Sequence, residues 1–294
     1  MVATNSLYAW VLATRPKTLT GAAVPVMIGC ALAAADGGFQ PLPAALCLLF
    51  ALLMQMDANL INDLCDYLKG SDGSDRLGPE RACAQGWITP RFMRRGIALC
   101  TLIAAAVGCG LLIYGGWTML PVGALCILFA FLYTAGPYPL AYHGWGDLLV
   151  IVFFGFIPVG CTYFVQCGTW GWQVAAASGA CGLAIDTLLM VNNFRDREQD
   201  AQSGKRTLIV RFGAVAGRRF YLWLGLAALG CCLLLQLNGR TWAALLPLLY
   251  LPLHVRTWRA MVQIDHGREL NMLLGATSRN ILLFGTLLSL GLLL

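Results

Sequence analysis

Two clusters of carboxylate and amide side chains lie at the ends of two very apolar segments. The first cluster consists of Asn59, Asn62, Asp63 and Asp66 and is followed by Asp72 and Asp75; the second consists of Asn192, Asn193, Asp196, Glu198 and Asp200. A charged carboxylate near a hydrocarbon core costs several kcal/mol, so a chain that places two such sets there uses them. Hard oxygen ligands suit Mg²⁺, which commonly shares its coordination sphere with a substrate phosphate.

The spacing within the two clusters is helical and matched. Steps of three and four residues place Asn59, Asp63 and Asp66 on one helix face. The interval from Asp63 to Asp196 equals that from Asn59 to Asn192. Solvated carboxylates at helix ends are the alternative, but Asn and Asp are poor helix formers and recur here at matched spacing. We predict as metal ligands Asn62, Asp63, Asp66, Asp72, Asp196 and Asp200.

Basic residues follow both clusters. Lys69, Arg76 and Arg81 come after the first, and Lys205 and Arg206 come after the second. Carboxylates with cations nearby are typical of a site for a metal-bound diphosphate, where the cations offset charge on the leaving group. Each basic residue alone is equally explained as a positive charge in a cytoplasmic loop.

The composition places these clusters in a membrane protein. The chain has 294 residues, of which 59% are hydrophobic and 12% charged, with a mean hydropathy of +0.70. Soluble domains are about 25% charged. We predict one all-α membrane domain over residues 1–294, with 1–18 as an interfacial helix. Nine segments approach the ~20 residues needed to cross a bilayer: 19–36, 41–62, 96–114, 118–135, 147–166, 173–193, 219–236, 241–260 and 277–294.

The distribution of basic residues sets the orientation. With the N-terminus inside, every Lys and Arg except Arg240 lies on the inner side or at its boundary. We therefore predict a membrane protein with its N-terminus and its active site towards the cytoplasm. Residues 63–95 and 194–218 are the predicted cytoplasmic loops that carry the motifs. The net charge of +6 fits a lipid bilayer with anionic lipids, and the pattern suggests no nucleic-acid partner.

The clusters resemble the two aspartate-rich motifs of the UbiA superfamily of intramembrane prenyltransferases. Residues 62–72 (NDLCDYLKGSD) resemble its first motif, NDxxDxxxxxD, and residues 193–200 (NFRDREQD) resemble its DxxxD motif. Further stretches resemble the subfamily that prenylates 1,4-dihydroxy-2-naphthoate in menaquinone biosynthesis: 15–19 (RPKTL), 76–81 (RLGPER), 133–137 (YTAGP), 143–147 (HGWGD) and 204–208 (GKRTL). Asp57 and Asp186 depart from the family pattern.

The resemblance implies a nine-helix bundle in a bacterial cytoplasmic (inner) membrane, around a central cavity that opens to the cytoplasm. It implies Mg²⁺ bound by both motifs, a polyprenyl diphosphate that ionises to an allylic cation, and attack by the naphthoate ring with loss of CO₂ to give demethylmenaquinone. The catalytic residues would be Asp63, Asp66, Asp196 and Asp200. The substrate-binding residues would be Asn59, Asn62, Lys69, Arg76, Arg81, Asn192, Asn193, Lys205, Arg206, Arg15, Lys17, Tyr133 and His143.

Three groups of residues outside the clusters have two interpretations each. Arg15 and Lys17 could bind the naphthoate carboxylate or anchor the chain at the interface. Tyr133 and His143 could stack on the acceptor ring or supply a base, although an interfacial aromatic belt also explains the tyrosines. Asp186, within an apolar span, could be functional or a buried neutral acid.

Two other functions remain open from the sequence. A secondary transporter also has paired repeats and intramembrane acids, but here the acids lie at the cytoplasmic ends and the outer loops are short. Within the superfamily, 4-hydroxybenzoate, a tetrapyrrole or a glycerol phosphate could be the acceptor. The sequence sets neither the prenyl length nor the oligomeric state.

Overall fold

The computed structural model describes residues 2–70 and 76–294, which form helices and connecting turns without a β-strand. The α-helices are α1 (Leu7–Ala13), α2 (Thr20–Ala35), α3 (Pro41–Leu68), α4 (Pro90–Gly115), α5 (Met119–Thr134), α6 (Gly146–Val150), α7 (Ile157–Cys167), α8 (Trp172–Gln202), α9 (Leu208–Leu234), α10 (Thr241–Leu245), α11 (Leu251–Ile264) and α12 (Asn271–Leu293). The prediction of an all-α membrane protein is confirmed for the fold class.

Proline and glycine mark many of the helix ends. Pro41 and Pro90 occupy the first positions of α3 and α4, where a missing N–H costs nothing. Gly168 follows α7 in the left-handed conformation that only glycine adopts without strain. These residues therefore fix where the long helices begin and end.

Among the residues that the structure describes, six helical stretches are long and apolar enough to cross a membrane, or seven if the bent pair Leu7–Thr18 and Thr20–Ala35 counts as one span. One of the six, Pro90–Thr134, is 45 residues long and contains both α4 and α5. At 1.5 Å per residue it would measure roughly 68 Å, about twice the ~30 Å hydrocarbon thickness. The predicted count of nine therefore stays a prediction.

Helix α8 lies at the centre of the bundle. It packs against α2, α9 and α12, and 72% of its most apolar stretch of 18 residues is buried inside the protein. Gly182 faces the backbone of a π-helical stretch between α6 and α7, where an added Cβ would lie 2.7 Å from the carbonyl oxygen of Ile151. Only glycine permits this approach, so small residues bring α8 into the middle of the molecule.

The two motif-bearing loops are shorter than the sequence predicts. Helix α3 continues to Leu68 and α8 to Gln202, so both aspartate clusters lie on the last turns of helices. The predicted loops 63–95 and 194–218 are therefore too long: helices occupy the first residues of each range, and the last residues belong to α4, which begins at Pro90, and to α9, which begins at Leu208. Asn59, Asp63 and Asp66 are buried and bind groups outside α3, so they do not compete with its backbone hydrogen bonds. Asp72 and Asp75 lie outside the described residues.

Within residues 2–18, α1 is the α-helical part. Ala9 and Ala13 are buried, whereas Leu7 is 82% exposed. Arg15 then turns the chain with a φ of 52° before a 3₁₀ turn at Pro16–Thr18. An exposed apolar residue beside a buried face fits the predicted interfacial helix, whose position at the membrane surface stays a prediction.

Candidate active site

A cavity of about 350 Å³ lies between α2, α3, α5, α8 and the stretch that joins α6 to α7. Its body is lined by apolar side chains such as Phe50, Met54, Phe153 and Leu188. The polar residues that line it are Arg15, Thr18, Gln55, Asn59, Asn62, Tyr133, Thr162 and Asn192. Most of these polar residues lie near the cluster-bearing ends of α3 and α8, so the cavity has a polar end and an apolar body.

The asparagines of the first cluster contribute to this polar end. Asn59 donates hydrogen bonds to the carbonyl of Thr14 and the hydroxyl of Thr18, both at 3.0 Å. Asn62 accepts a hydrogen bond from Thr134 on α5. The amides thus join α3 to the 14–18 segment and to α5 around the cavity.

Asp63 does not face the cavity. It is 1% exposed, and its two carboxylate oxygens accept hydrogen bonds from the backbone N–H groups of Ala82 and Cys83, at 2.7 and 2.9 Å. This environment differs from that of an open metal ligand. The metal-binding and catalytic roles predicted for Asp63 stay predictions.

Asp66 forms a buried ion pair with Arg81. The two side chains meet at 2.9 Å and are each 7% exposed. The other carboxylate oxygen of Asp66, Oδ1, is buried and accepts no hydrogen bond within the described residues. A buried acceptor without a partner is costly, so this oxygen is free to take a further ligand.

The second cluster has its own cationic partners. Asp196 accepts hydrogen bonds from Nε of Arg195 at 2.7 Å and from its NH2 group at 2.5 Å. Asp200 pairs with Lys205 at 3.5 Å. Asn192 lines the cavity and Asn193 is half-buried beside it in the chain. Both clusters therefore carry carboxylates whose charge the protein balances with Lys or Arg.

The two clusters lie within electrostatic range of each other. Burial opposes the charge of Lys205, but the carboxylates of Asp66 and Asp200 outweigh it and raise the pKa of the amine. Lys205 is therefore protonated throughout the physiological range. Carboxylates of both motifs therefore favour the protonated form of one amine. A single site built by the two motifs stays a prediction.

Tyr142 joins the basic residues of the two clusters. The amines of Lys69 and Lys205 lie 4.5 and 4.9 Å from the centre of its ring. Lys69 also donates a 2.6 Å hydrogen bond to the carbonyl of Thr134. One aromatic ring therefore holds two cations that follow different motifs.

The other predicted residues divide between the cavity and its surroundings. Arg15 and Tyr133 line the cavity, whereas Lys17 is exposed. His143 stacks on Tyr138 with ring centres 3.5 Å apart and is not among the cavity-lining residues. Arg76 donates to the carbonyl of Pro79, and Arg206 is exposed but donates its backbone N–H to Tyr142.

Several contacting residues are missing from the sequence prediction. Arg195 binds Asp196 on one side and Asn271 on the other, and Asn271 also reaches the carbonyl of Leu77. Arg195 could have been suspected from its position directly before Asp196. Asn271 gave no signal, because nothing in its neighbourhood repeats a motif. Thr134 lies in the stretch 133–137 that carries the family resemblance, and Tyr142 directly precedes His143, but neither is among the predicted site residues.

The donor set fits a hard divalent cation. Within residues 2–70 and 76–294, no group of three or more His, Cys, Asp or Glu side chains is already arranged to hold a metal ion. The available ligands are nonetheless carboxylate oxygens, the kind Mg²⁺ prefers, and one of them is the unpartnered Oδ1 of Asp66. Asp66, Asp196 and Asp200 are thus the described residues best suited to bind it.

Arg15 and asparagines of both clusters line the polar end of an apolar cavity, inside a bundle of helices long and apolar enough to cross a membrane. These features define a membrane protein with an internal cavity suited to an amphipathic molecule. The family model of the UbiA prenyltransferase family matches residues 22–274. The chain therefore belongs to the UbiA prenyltransferase family and is an integral membrane protein.

Relatives and solved structures agree with this assignment. A 1,4-dihydroxy-2-naphthoate octaprenyltransferase of Escherichia coli (strain K12) is 38% identical over 235 residues, covering 78% of this chain and 76% of that protein. A protein of the same name from Haemophilus influenzae is 35% identical over 99% of this chain and 97% of its own. A UbiA homolog from Aeropyrum pernix K1 has a TM-score of 0.69 at 15% identity, over 94% of this chain and 97% of that chain.

Proposed function

We propose that this protein transfers a polyprenyl chain from polyprenyl diphosphate to 1,4-dihydroxy-2-naphthoate, with Mg²⁺ as cofactor and with loss of CO₂. The observation that carries the proposal is that asparagines of both clusters line the polar end of one apolar cavity, on the two helices that also carry the aspartates. The names of the relatives support the naphthoate acceptor. A UbiA homolog structure bound to DMAPP and Mg²⁺ supports the diphosphate and the metal.

In this proposal the diphosphate lies at the polar end. Asp66, Asp196 and Asp200 hold Mg²⁺, with Asn62 and Asp72 as further candidate ligands from the sequence. When bound, the metal offsets the negative charge of the diphosphate. Lys69, Arg81 and Lys205 donate to phosphate oxygens, which stabilises the charge that develops as the diphosphate leaves.

The reaction is balanced without an oxidant. The allylic C–O bond breaks and its electron pair leaves with the diphosphate. The ring carbon that bears the carboxylate forms the new C–C bond, and the bond to the carboxylate then breaks, releasing CO₂ and returning its electrons to the ring. The product is the quinol of demethylmenaquinone. The apolar walls keep water away from the allylic cation, which water would otherwise capture.

The acceptor enters beside the diphosphate. Arg15 lines the cavity and can bind the naphthoate carboxylate through two parallel hydrogen bonds. Tyr133 lines the same cavity and can contact the ring. Asn59 and Asn192, one on each motif helix, orient polar groups of the two substrates.

We also propose nine membrane spans with the cavity open to the cytoplasm. The length of Pro90–Thr134 supports counting it twice, and the helical stretch from Thr241 to Ile264 supplies a further passage. The excess of Lys and Arg in the predicted inner segments supports an inner-membrane protein with a cytoplasmic N-terminus.

The direct test is an assay of the purified protein in detergent. It supplies a polyprenyl diphosphate, naphthoate labelled in its carboxyl group, and Mg²⁺ or EDTA. We expect prenylated product with release of labelled CO₂ in Mg²⁺ and none in EDTA. Full turnover in metal-free buffer would exclude the carboxylate–metal site, and label retained on the product would indicate another acceptor chemistry.

A further inference from the structure

Residues 76–83 connect the two aspartate clusters and are called the bridging segment below. This segment lies between α3 and α4 in the chain, outside the helices. It contacts α3 at one end and α8 and α12 at the other. The family resemblance implies substrate contacts for Arg76 and Arg81 in this segment. It does not explain what holds the backbone of the segment in place.

Asp63, on α3, binds the C-terminal end of the bridging segment. Both carboxylate oxygens are used, one for the backbone N–H of Ala82 and one for that of Cys83. The carboxylate is 1% exposed, so water does not compete for these bonds. Charge-assisted hydrogen bonds in a water-free site are among the strong ones.

The N-terminal end of the bridging segment is bound by Asn271, which Arg195 in turn contacts. NH1 of Arg195 donates to the side-chain oxygen of Asn271 at 2.9 Å, and the side-chain nitrogen of Asn271 donates to the carbonyl of Leu77 at 2.8 Å. Gly78 lies against the same guanidinium group, since an added Cβ would be 2.8 Å from NH2 of Arg195. The guanidinium also binds Asp196, so it cannot easily move aside.

This double attachment places Arg81 beside Asp66. Arg81 directly precedes the two N–H groups that Asp63 binds, and it forms the buried 2.9 Å ion pair with Asp66. Arg195, which holds the opposite end, binds Asp196 of the second cluster. The bridging segment is therefore tied to both clusters.

We propose that Asp63 and Asn271 are positioning residues that clamp the bridging segment between the two motifs and thereby set the place of Arg81 and Asp196. Asp63 acts through backbone N–H groups rather than as a metal ligand. The purpose of the clamp, which is to support binding of the substrate diphosphate, rests on the proposed function. The clamp itself is a property of the free protein.

Amide hydrogen exchange in the detergent-solubilised full-length protein, without substrate or metal, tests the clamp directly. In Asp63→Asn one side-chain oxygen is replaced by an N–H₂ group that faces a backbone N–H. We expect the amides of Ala82 and Cys83 to exchange roughly tenfold faster or more. Asn271→Asp keeps an acceptor for Arg195 but loses the donor to Leu77. We expect this variant to speed exchange of the amide hydrogens of residues 76–78, since Pro79 has none.

Asp36→Asn is the matched control, because Asp36 pairs with Arg240 and lies outside both clusters and the bridging segment. We expect it to leave exchange in residues 76–83 and prenyl transfer unchanged. Exchange in α9 should stay at the wild-type rate in every variant, which shows that the bundle is folded. If Asp63→Asn does not fold, Asn271→Asp still tests the clamp.

Activity with varied Mg²⁺ separates a positioning residue from a ligand. We expect Asp63→Asn to lower kcat/KM for the prenyl diphosphate about tenfold while the Mg²⁺ concentration for half-maximal activity changes less than about twofold. Unchanged exchange combined with a tenfold higher Mg²⁺ requirement would overturn the proposal and make Asp63 a ligand. Failure of naphthoate prenylation in the wild type would instead count against the proposed function, since the exchange result does not depend on it.

Discussion

At the scale of single residues, the structure separates two neighbours that the sequence could not. Arg15 lines the cavity, whereas Lys17, two residues on, is exposed. Arg15 also adopts a left-handed backbone conformation, with a φ of 52°, which costs a residue other than glycine about 1–3 kcal/mol. Such strain is commonly retained at functional sites, and it supports Arg15 as the residue for the acceptor carboxylate.

Substitution of these two residues tests that assignment. We expect Arg15→Gln to raise the KM for naphthoate roughly tenfold or more, because a charged hydrogen bond worth about 1.5–3 kcal/mol is lost. The KM for the prenyl diphosphate should change little. Lys17→Gln removes a charge of the same sign from the exposed neighbour and should leave both constants near the wild-type values. A higher KM for the diphosphate in Arg15→Gln would place this residue at the leaving group instead.

Tyr142 offers a second test at this scale. Its ring lies within 5 Å of the amines of both Lys69 and Lys205, and each cation–π contact is worth about 0.5–2 kcal/mol. Tyr142→Leu should therefore raise the KM for the prenyl diphosphate several-fold, roughly in line with one or two such contacts. Tyr142→Phe keeps the ring and should behave like the wild type. Equal losses in the two variants would show that the hydroxyl, and not the ring, is what matters.

Among the polar residues that line the cavity, the sequence analysis names Arg15, Asn59, Asn62, Tyr133 and Asn192. The hydrogen-bond partners of the clusters could not be predicted. The clusters stood out because carboxylates are rare in apolar segments, and matched spacing pointed to one site. The hydrogen bonds from Ala82 and Cys83 to Asp63 involve backbone groups, which have no sequence signature. Asn271 was missed for a related reason, since only the fold brings it to Arg195.

At the scale of helices, α3 and α8 each carry one cluster on their last turns. Asp66 on α3 and Asp200 on α8 both act on Lys205, which follows α8. The sequence predicted helical spacing for both clusters but ended both membrane spans too early, because hydropathy falls at the first polar residues. Buried partners such as Arg81 and Arg195 compensate for that polarity, so the helices continue.

A double-substitution experiment tests whether the two helices form one site. We expect Asp66→Asn and Asp196→Asn each to lower kcat by roughly a hundredfold or more, as when one charge-stabilising group is lost from an active site. The double variant should be scarcely slower than either single one, because residues that act as a unit are not additive. Asn is chosen because it keeps the side-chain volume and an acceptor for the neighbouring Arg. Multiplicative losses would indicate two independent sites.

At the scale of the whole molecule, apolar side chains face both the lipid and an internal cavity. The chain is 59% hydrophobic, as a membrane protein requires, and its helices enclose an apolar cavity of about 350 Å³. The composition predicts the membrane protein, and the resemblance implies the cavity. The cavity's size and lining come from packing: small residues such as Gly123 on α5 line it, and no hydropathy pattern distinguishes those glycines from others in apolar helices.

If the cavity holds the prenyl chain, reducing its volume should shorten the preferred substrate. Gly123 lines the cavity and has no heavy atom within 4 Å of an added Cβ, so Gly123→Leu fits without a backbone clash and projects into the space. Crowding of this kind costs about 1–3 kcal/mol, so we expect kcat/KM for a long polyprenyl diphosphate to fall roughly 5–150-fold relative to that for geranyl diphosphate.

The control for that experiment is Gly230→Leu. Gly230 is also helical and unobstructed, but it is exposed on α9 and does not line the cavity. It should leave the ratio of long to short substrates unchanged, which separates loss of cavity volume from a general effect of replacing a helical glycine. An equal drop for both chain lengths in Gly123→Leu would mean that the prenyl chain lies elsewhere, along the lipid-facing surface of the bundle.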